Sequence, residues 1–323
     1  QSEYKDSYKH LKKLDGLEKS HPNYASIYLY SLINSEKYNQ ALAFSKRLEK
    51  EGQESFESNI VTGIFHINNN NNVLAKKYFL KAREKSSKTI LDNFLASSLY
   101  SWSDLKGKNF EEAIFEFNQV DERFENLKKI QSIFLNCYFD NPNTQTLFES
   151  LITDEKTDFS RYNYFYASYL TDSGKIEKAK DIINSALKIY PRNLLLNQYK
   201  LDLNQKTNKQ SFNCKNTGHV IAEILYITSN ALSSQSIYSL SNFYLNLAKY
   251  LNKDFHSYDT LKAENFYQVD NLKKAKETYK SLSKKGKAFQ WHASKQLAKI
   301  LILEEDLDKA LEILSNAYDN LDY

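Results

Sequence analysis

The chain has 323 residues, 41% hydrophobic and 26% charged, with a net charge of +4 from 44 basic and 40 acidic side chains. That length suits two ordinary domains or one elongated repeat array, and the near-neutral balance implies no nucleic-acid or anionic-membrane partner. Seven glycines and three prolines are too few for the turns of a β-sandwich or barrel, so the chain reads as mostly helical.

In chain order, "YKHLKKLDGLEKSHP" (8–22) reads as the second helix of a pair whose first helix is missing. Leu14, Leu17 and Pro22 mark it, and the chain is expected to start in mid-repeat. A helix pair follows with Leu29, Leu32, Ala41 and Leu48, turning at Asn34-Ser35. Exactly one period of 34 residues later come Gly63, His66, Ala75, Phe79 and Ala82. The run Asn68 to Asn72 falls between the helices of that second pair. Asn tolerates the left-handed conformation that such turns demand, and the run is longer than a turn needs, so losing two of its residues should be tolerated.

Past residue 90, the stretch "SDLKGKNFEE" between Trp102 and Ala113 makes a longer turn, and 125–159 has the size of another helix pair. Residues 160–193 give the clearest unit, with Ala167, Leu170, Ala179, Ile183 and Ala186 around a turn at Asp172-Ser173-Gly174 and Pro191 closing it. Residues 194–205 suggest one further helix, and 206–219 a polar linker. The same marks return at Leu232, Leu245 and Ala248, then at Ala263, Phe266, Ala275, Tyr279 and Leu282. They recur last at Ala298, Leu301, Ala310, Leu314 and Ala317.

Small residues at fixed positions let helices cross closely, and a helix pair that buries one face of each helix must stack on its neighbours. The pattern resembles the tetratricopeptide repeat, most closely at 160–193, 256–289 and 291–323, with units near 22, 56, 90 and 222 matching less well. The family's Trp at the fourth position of each unit is absent throughout. The resemblance implies an all-α, right-handed α-solenoid of tandem helix-turn-helix (TPR-like) repeats. It divides the chain into an N-terminal array (1–205), a linker (206–219) and a C-terminal array (220–323). The layout is similar to long bacterial repeat proteins, many of them exported, which leans the placement towards export.

No motif carries catalysis. The glycines are too scattered for a phosphate-binding loop or a nucleophile elbow, and the six histidines form no metal-binding pair. His66 reads as a packed core residue, and His219, near Cys214 on a loop, has no second pair to complete a zinc site. Cys137 and Cys214, 77 positions apart in unlike contexts, are expected to be unpaired. No apolar run approaches a membrane span of about 18 residues. The absence of Met suggests a mature form or excised segment. No cofactor, metal or catalytic residue is expected. Nucleic acid is disfavoured further by the arginine count of five: Arg47, Arg83, Arg123, Arg161 and Arg192.

Surface remains. In repeats of this kind the first helix of each unit lines a concave groove. The resemblance places Tyr30, Ile60, Ile64, Ile67, Trp102, Tyr164, Tyr226, Asn230, Tyr267, Lys295 and Lys299 there. The expected function is a non-catalytic scaffold binding a protein or peptide through that groove, with Tyr and Trp as anchors. The alternative is a structural subunit that uses its convex face or its ends. The family's carboxylate clamp is incomplete, because Tyr226 stands where its Lys belongs. On this reading, changing Tyr164, Tyr226 and Tyr267 to Ser leaves the fold intact, whereas Ala179→Phe forces helices apart.

Overall fold

The computed structural model describes residues 4–14, 16–19, 21, 23–86, 89–119, 122–205 and 211–320. Among these residues the regular structure is entirely helical. In chain order the first helices are α1 (Tyr4–Lys12), α2 (Tyr24–Asn34), α3 (Tyr38–Lys50), α4 (Phe56–Asn68), α5 (Asn72–Lys85) and α6 (Ile90–Ser103). Next come α7 (Phe110–Asn118), α8 (Glu125–Tyr138), α9 (Thr144–Ile152), α10 (Tyr162–Asp172), α11 (Ile176–Ile189) and α12 (Leu194–Asn204). The last six are α13 (Thr217–Ser234), α14 (Tyr238–Leu251), α15 (Ser257–Gln268), α16 (Leu272–Leu282), α17 (Lys287–Leu303) and α18 (Leu307–Asp319). The fold class is all-α and of the helical-repeat kind that the sequence predicts.

One turn recurs and sets the period. Glu36, Asn70, Asp140, Gly174, Ser236, Asp270 and Glu305 all have φ between 53° and 76°. In each case the next residue's N–H reaches back five positions, as in Lys37 N to Leu32 O (2.9 Å), Asn71 N to His66 O (2.8 Å) and Asp306 N to Leu301 O (2.9 Å). This is the Schellman ending of a helix, which satisfies carbonyls that would otherwise be orphaned. The residue after the turn begins a helix whose first-turn alanine is buried at the crossing: Ala41, Ala75, Ala179, Ala275 and Ala310 are at most 3% exposed. At Gly63 a Cβ would lie 2.4 Å from the Phe79 ring, so α4 and α5 cross where only glycine fits.

The asparagine run is fully used by this turn. Asn68 ends α4, Asn70 is the left-handed residue, and the Asn71 side chain caps α5 by accepting from Leu74 N at 3.2 Å. The three-residue turn 69–71 matches those at 35–37, 173–175, 235–237, 269–271 and 304–306, so the expectation of two dispensable residues is corrected. Deleting Asn69 and Asn70 should therefore lower the melting temperature. Asn70→Gly should be neutral or raise it, since glycine takes φ > 0 without penalty; thermal melts of both variants check this. The longer turn expected after Trp102 is present at 104–109, with Gly107 at φ 85°. At the N-terminus the single helix expected over 8–22 is instead α1 and a 3-10 turn at Leu17–Lys19, parted at Gly16 (φ 98°); Pro22 lies outside the described residues.

The chain forms two units, 1–141 with 214–253, and 142–213 with 254–323. These are not the segments drawn from the sequence, because α13 and α14 belong with the N-terminal repeats and not with a C-terminal array. Residues 206–210 of the expected linker lie outside the described residues.

In the first unit, α13 and α14 pack onto the first helices of three successive repeats, α14 on α2 and α4, and α13 on α6. Phe243 of α14 meets Tyr30 with ring centroids 4.9 Å apart, and Tyr250 meets Tyr38 and Phe65, each at 4.7 Å. Asn246 Nδ2 donates to Asn34 Oδ1 at 2.9 Å with both side chains buried, and Tyr38 Oη donates to the Asn246 carbonyl at 3.2 Å. All residues from 241 to 248 are buried, which is why this helix carries polar groups matched to fixed partners. Cys137, in the last turn of α8, and Cys214, three residues before α13, form a disulfide. This corrects the expectation of unpaired thiols: over the separation of 77 positions the chain leaves the first unit almost entirely and returns.

In the second unit, α10 packs on α9, α11 and α12, α15–α16 and α17–α18 form stacked pairs, and α12 packs on α17. Its core includes Tyr164, Phe165, Tyr166, Ile183, Phe255, Tyr258 and Tyr279, each at most 2% exposed.

Candidate binding site

The predicted groove residues separate into three fates. In the first unit Ile60, Ile64 and Trp102 are fully buried and Ile67 is nearly so. Trp102 Nε1 donates to Gln131 Oε1 at 2.6 Å, and its ring meets Phe117 edge-on at 5.4 Å. Tyr30 is half-buried, donating to Glu57 Oε1 at 2.8 Å; burial and that carboxylate push its phenol well above the usual range. Phe243 of α14 covers Tyr30 and the start of α13 lies against Ile67, while Trp102 is enclosed by Phe117, Gln131 and Tyr138 of α7 and α8, so the expectation that these residues are open to a partner is corrected. Tyr226 is half-buried and Asn230 exposed on α13 itself.

Tyr164 of α10 is core. It is 2% exposed, packs against Tyr199 (4.9 Å) and Phe255 (5.5 Å), and its hydroxyl is hydrogen-bonded to Ser211. Burial raises its phenol far above the ordinary value. The expectation of an exposed aromatic at this position fails because residues 162–168 are buried in unbroken succession, leaving α10 no solvent face along that stretch.

The third group stays accessible. Tyr267 of α15 is half-buried with the Lys299 ammonium 4.7 Å above its ring, and Lys295 stands 5.5 Å over Trp291. Trp291, Lys295 and Lys299 follow at intervals of four along α17, so with Tyr267 they form one aromatic and cationic strip on adjacent first helices. Sequence reasoning placed three of the four. Trp291, at the start of its repeat, has no groove position in the family pattern.

Sequence reasoning missed the pocket of the second unit altogether. A cavity of about 420 Å3 in the second unit is walled by the rings of Tyr164, Tyr199, Phe255 and Phe289. Asp202 and Gln198, one turn apart on α12, share its polar lining with Ser211 and with Asp254, His256, Lys284 and Lys285. Gln198 is fixed from both ends, donating Nε2–H to Asp202 Oδ1 at 2.8 Å and accepting Ala288 N–H of α17 at 3.0 Å. Gly286, which precedes α17, has φ 149°, and a Cβ there would lie 2.3 Å from Gln198 Oε1. Glycine is therefore required for α17 to seat on this amide.

Asp202 is half-buried, and burial raises its carboxyl above the usual range, with the Gln198 bond opposing the rise. Among the described residues it has no ion-pair partner. Lys284, Lys285 and Asp254 lie exposed at the edge of the cavity, with His256 half-buried beside them. Among the described residues no cluster of His, Cys, Asp and Glu could hold a metal ion, and no helix is long and apolar enough to cross a membrane.

No family model matches the chain, and no curated protein sequence matches it. Solved structures do match. The human IFIT1 dimer with PPP-AAAA aligns at 14% identity over 99% of this chain and 94% of that one, with a TM-score of 0.28. Naa15/Naa10 bound to HypK-THB aligns at 12% identity over 97% of this chain and 65% of that one, with a TM-score of 0.23. Neither likeness carries an argument about what this chain binds.

Proposed function

We propose that the chain is a divergent tetratricopeptide-type scaffold without catalysis of its own, binding a protein or peptide through its second unit. The observation that carries this reading is the accessible strip of Tyr267, Trp291, Lys295 and Lys299, in a unit that also holds a preformed aromatic pocket. Aromatic side chains with a polar tip anchor interfaces at low entropic cost, and the two cations sit on ring faces where they stay extended. The low arginine content argues against nucleic acid as the partner. The disulfide fits an oxidising compartment, in keeping with export.

Affinity purification with the wild-type chain and with a Tyr267→Ser, Trp291→Ser, Lys299→Glu variant tests the reading. A partner retained by the first and lost by the second is expected, with the melting temperature of the variant within a few degrees of wild type. Undiminished capture by the variant favours a structural subunit, for which one observation speaks. Ile302, Leu303, Leu307, Leu311 and Tyr318 on the closing helices α17 and α18 are 51–70% exposed, an apolar surface suited to a docked neighbour.

A further inference from the structure

We infer that the pocket of the second unit takes the cationic side chain of a lysine or arginine presented by a peptide partner, with Asp202 as its counter-ion. The inference rests on the scaffold reading and names the chemistry its pocket recognises. Four aromatic rings wall a space of about 420 Å3, towards the small end of the roughly 300–1,000 Å3 that ligand pockets occupy. That suits one long side chain better than a folded element. The polar lining is asymmetric. The carboxylate is held on α12 by a neutral amide that is itself bonded to α17, so the amide orients it without neutralising it.

A half-buried carboxylate with no cation beside it among the described residues is costly to the free protein. A guanidinium or ammonium entering between the rings would remove that cost and gain cation–π contact with their faces. The chain already uses this chemistry on the Phe255 ring: the Arg161 guanidinium lies 5.1 Å from its centre and 5.5 Å from that of Phe165. Lys284 and Lys285 do not reverse the preference. They are exposed, where a charge is screened and worth little, whereas Asp202 lies deeper. Their effect is to weaken cation binding modestly, which supplies a second signature.

The test is selection of short displayed random peptides on the full-length chain. Affinities of the recovered peptides are then measured for wild type, Asp202→Asn, and Lys284→Ala with Lys285→Ala. Asn at 202 keeps the acceptor that Gln198 uses and removes only the charge, and a melt confirms that the variant folds. Recovered peptides should share a required Lys or Arg whose change to Gln weakens binding about tenfold, and Asp202→Asn should weaken it by a similar factor. The double lysine variant should bind the same peptides more tightly. Peptides whose basic residue is dispensable, or whose affinity is unchanged by Asp202→Asn, would overturn the assignment while leaving the scaffold reading in place. A requirement for Asp or Glu would overturn it in favour of an anion site at the lysines. Recovery of no binding peptide would count against both.

Discussion

Replacing Cys137 and Cys214 together by alanine should cost the first unit about 4 kcal/mol, the value expected when a cross-link closing a loop of this length is lost from the unfolded chain. The bridge spans 77 positions and sits where the chain re-enters the unit ahead of α13. It therefore anchors the segment that carries α13 and α14 onto the first helices of the repeats. Without it that segment is held by the Asn34–Asn246 bond, the Tyr30–Phe243 and Tyr38–Tyr250 contacts and the apolar burial around them. Hydrogen exchange should then rise most in 217–251 and on α2 and α4, with little change at α15–α18. Exchange is the measurement of choice, because a chain with two units need not unfold in one step. Equal protection with and without the bridge would mean that packing alone holds the pair.

Gly286→Ala should act on the second unit in a smaller and more local way. The residue combines a backbone conformation that L side chains rarely adopt with a Cβ path blocked by Gln198. The variant must push the amide away, and the Asp202 bond goes with it. Loss of stability together with altered binding at the pocket is expected. A melt and a peptide titration of the same variant report the two effects separately.

The repeat was legible because its physical cause is local. A left-handed residue, a three-residue turn and a buried alanine recur at fixed spacing, and each can be read from a few neighbouring letters. Asn70, Gly174, Ser236 and Asp270 are different residues doing one job, so spacing was a better guide than identity. What the sequence concealed was non-local. Nothing in "SNFYLNLAKY" states that the helix will lie on Tyr30, Tyr38 and Phe65, some 200 positions away. The disulfide was hidden for the same reason, since its proximity exists only once the intervening segment has folded elsewhere. The pocket depends on Gln198 of α12 meeting Ala288 of α17 across 90 positions, an encounter between helices of different repeats. Family groove positions could not say which faces the chain itself would cover.

That last distinction yields a sharp contrast between two tyrosines assigned one role by the sequence. Tyr164→Ser should cost the second unit about 3–5 kcal/mol, as for other large aromatic truncations in a packed core. The side chain is 2% exposed and touches the rings of Phe165, Tyr199 and Phe255. Tyr164→Phe keeps the ring and removes only the hydroxyl that meets Ser211, so about 1 kcal/mol is expected. Tyr267→Ser, by contrast, removes a half-buried ring whose ring-face contact with Lys299 is worth about 0.5–1 kcal/mol at an exposed site. Its melt should stay near wild type while affinity for a recovered partner falls about thirtyfold, the loss of roughly 2 kcal/mol typical of an aromatic anchor. Melts and affinities on the three variants place each residue on its own axis. A Tyr267→Ser protein that melts as early as Tyr164→Ser would make the strip part of the core. A Tyr267→Ser protein that keeps full affinity would move the interface off α15 and α17, towards the exposed apolar face of α18.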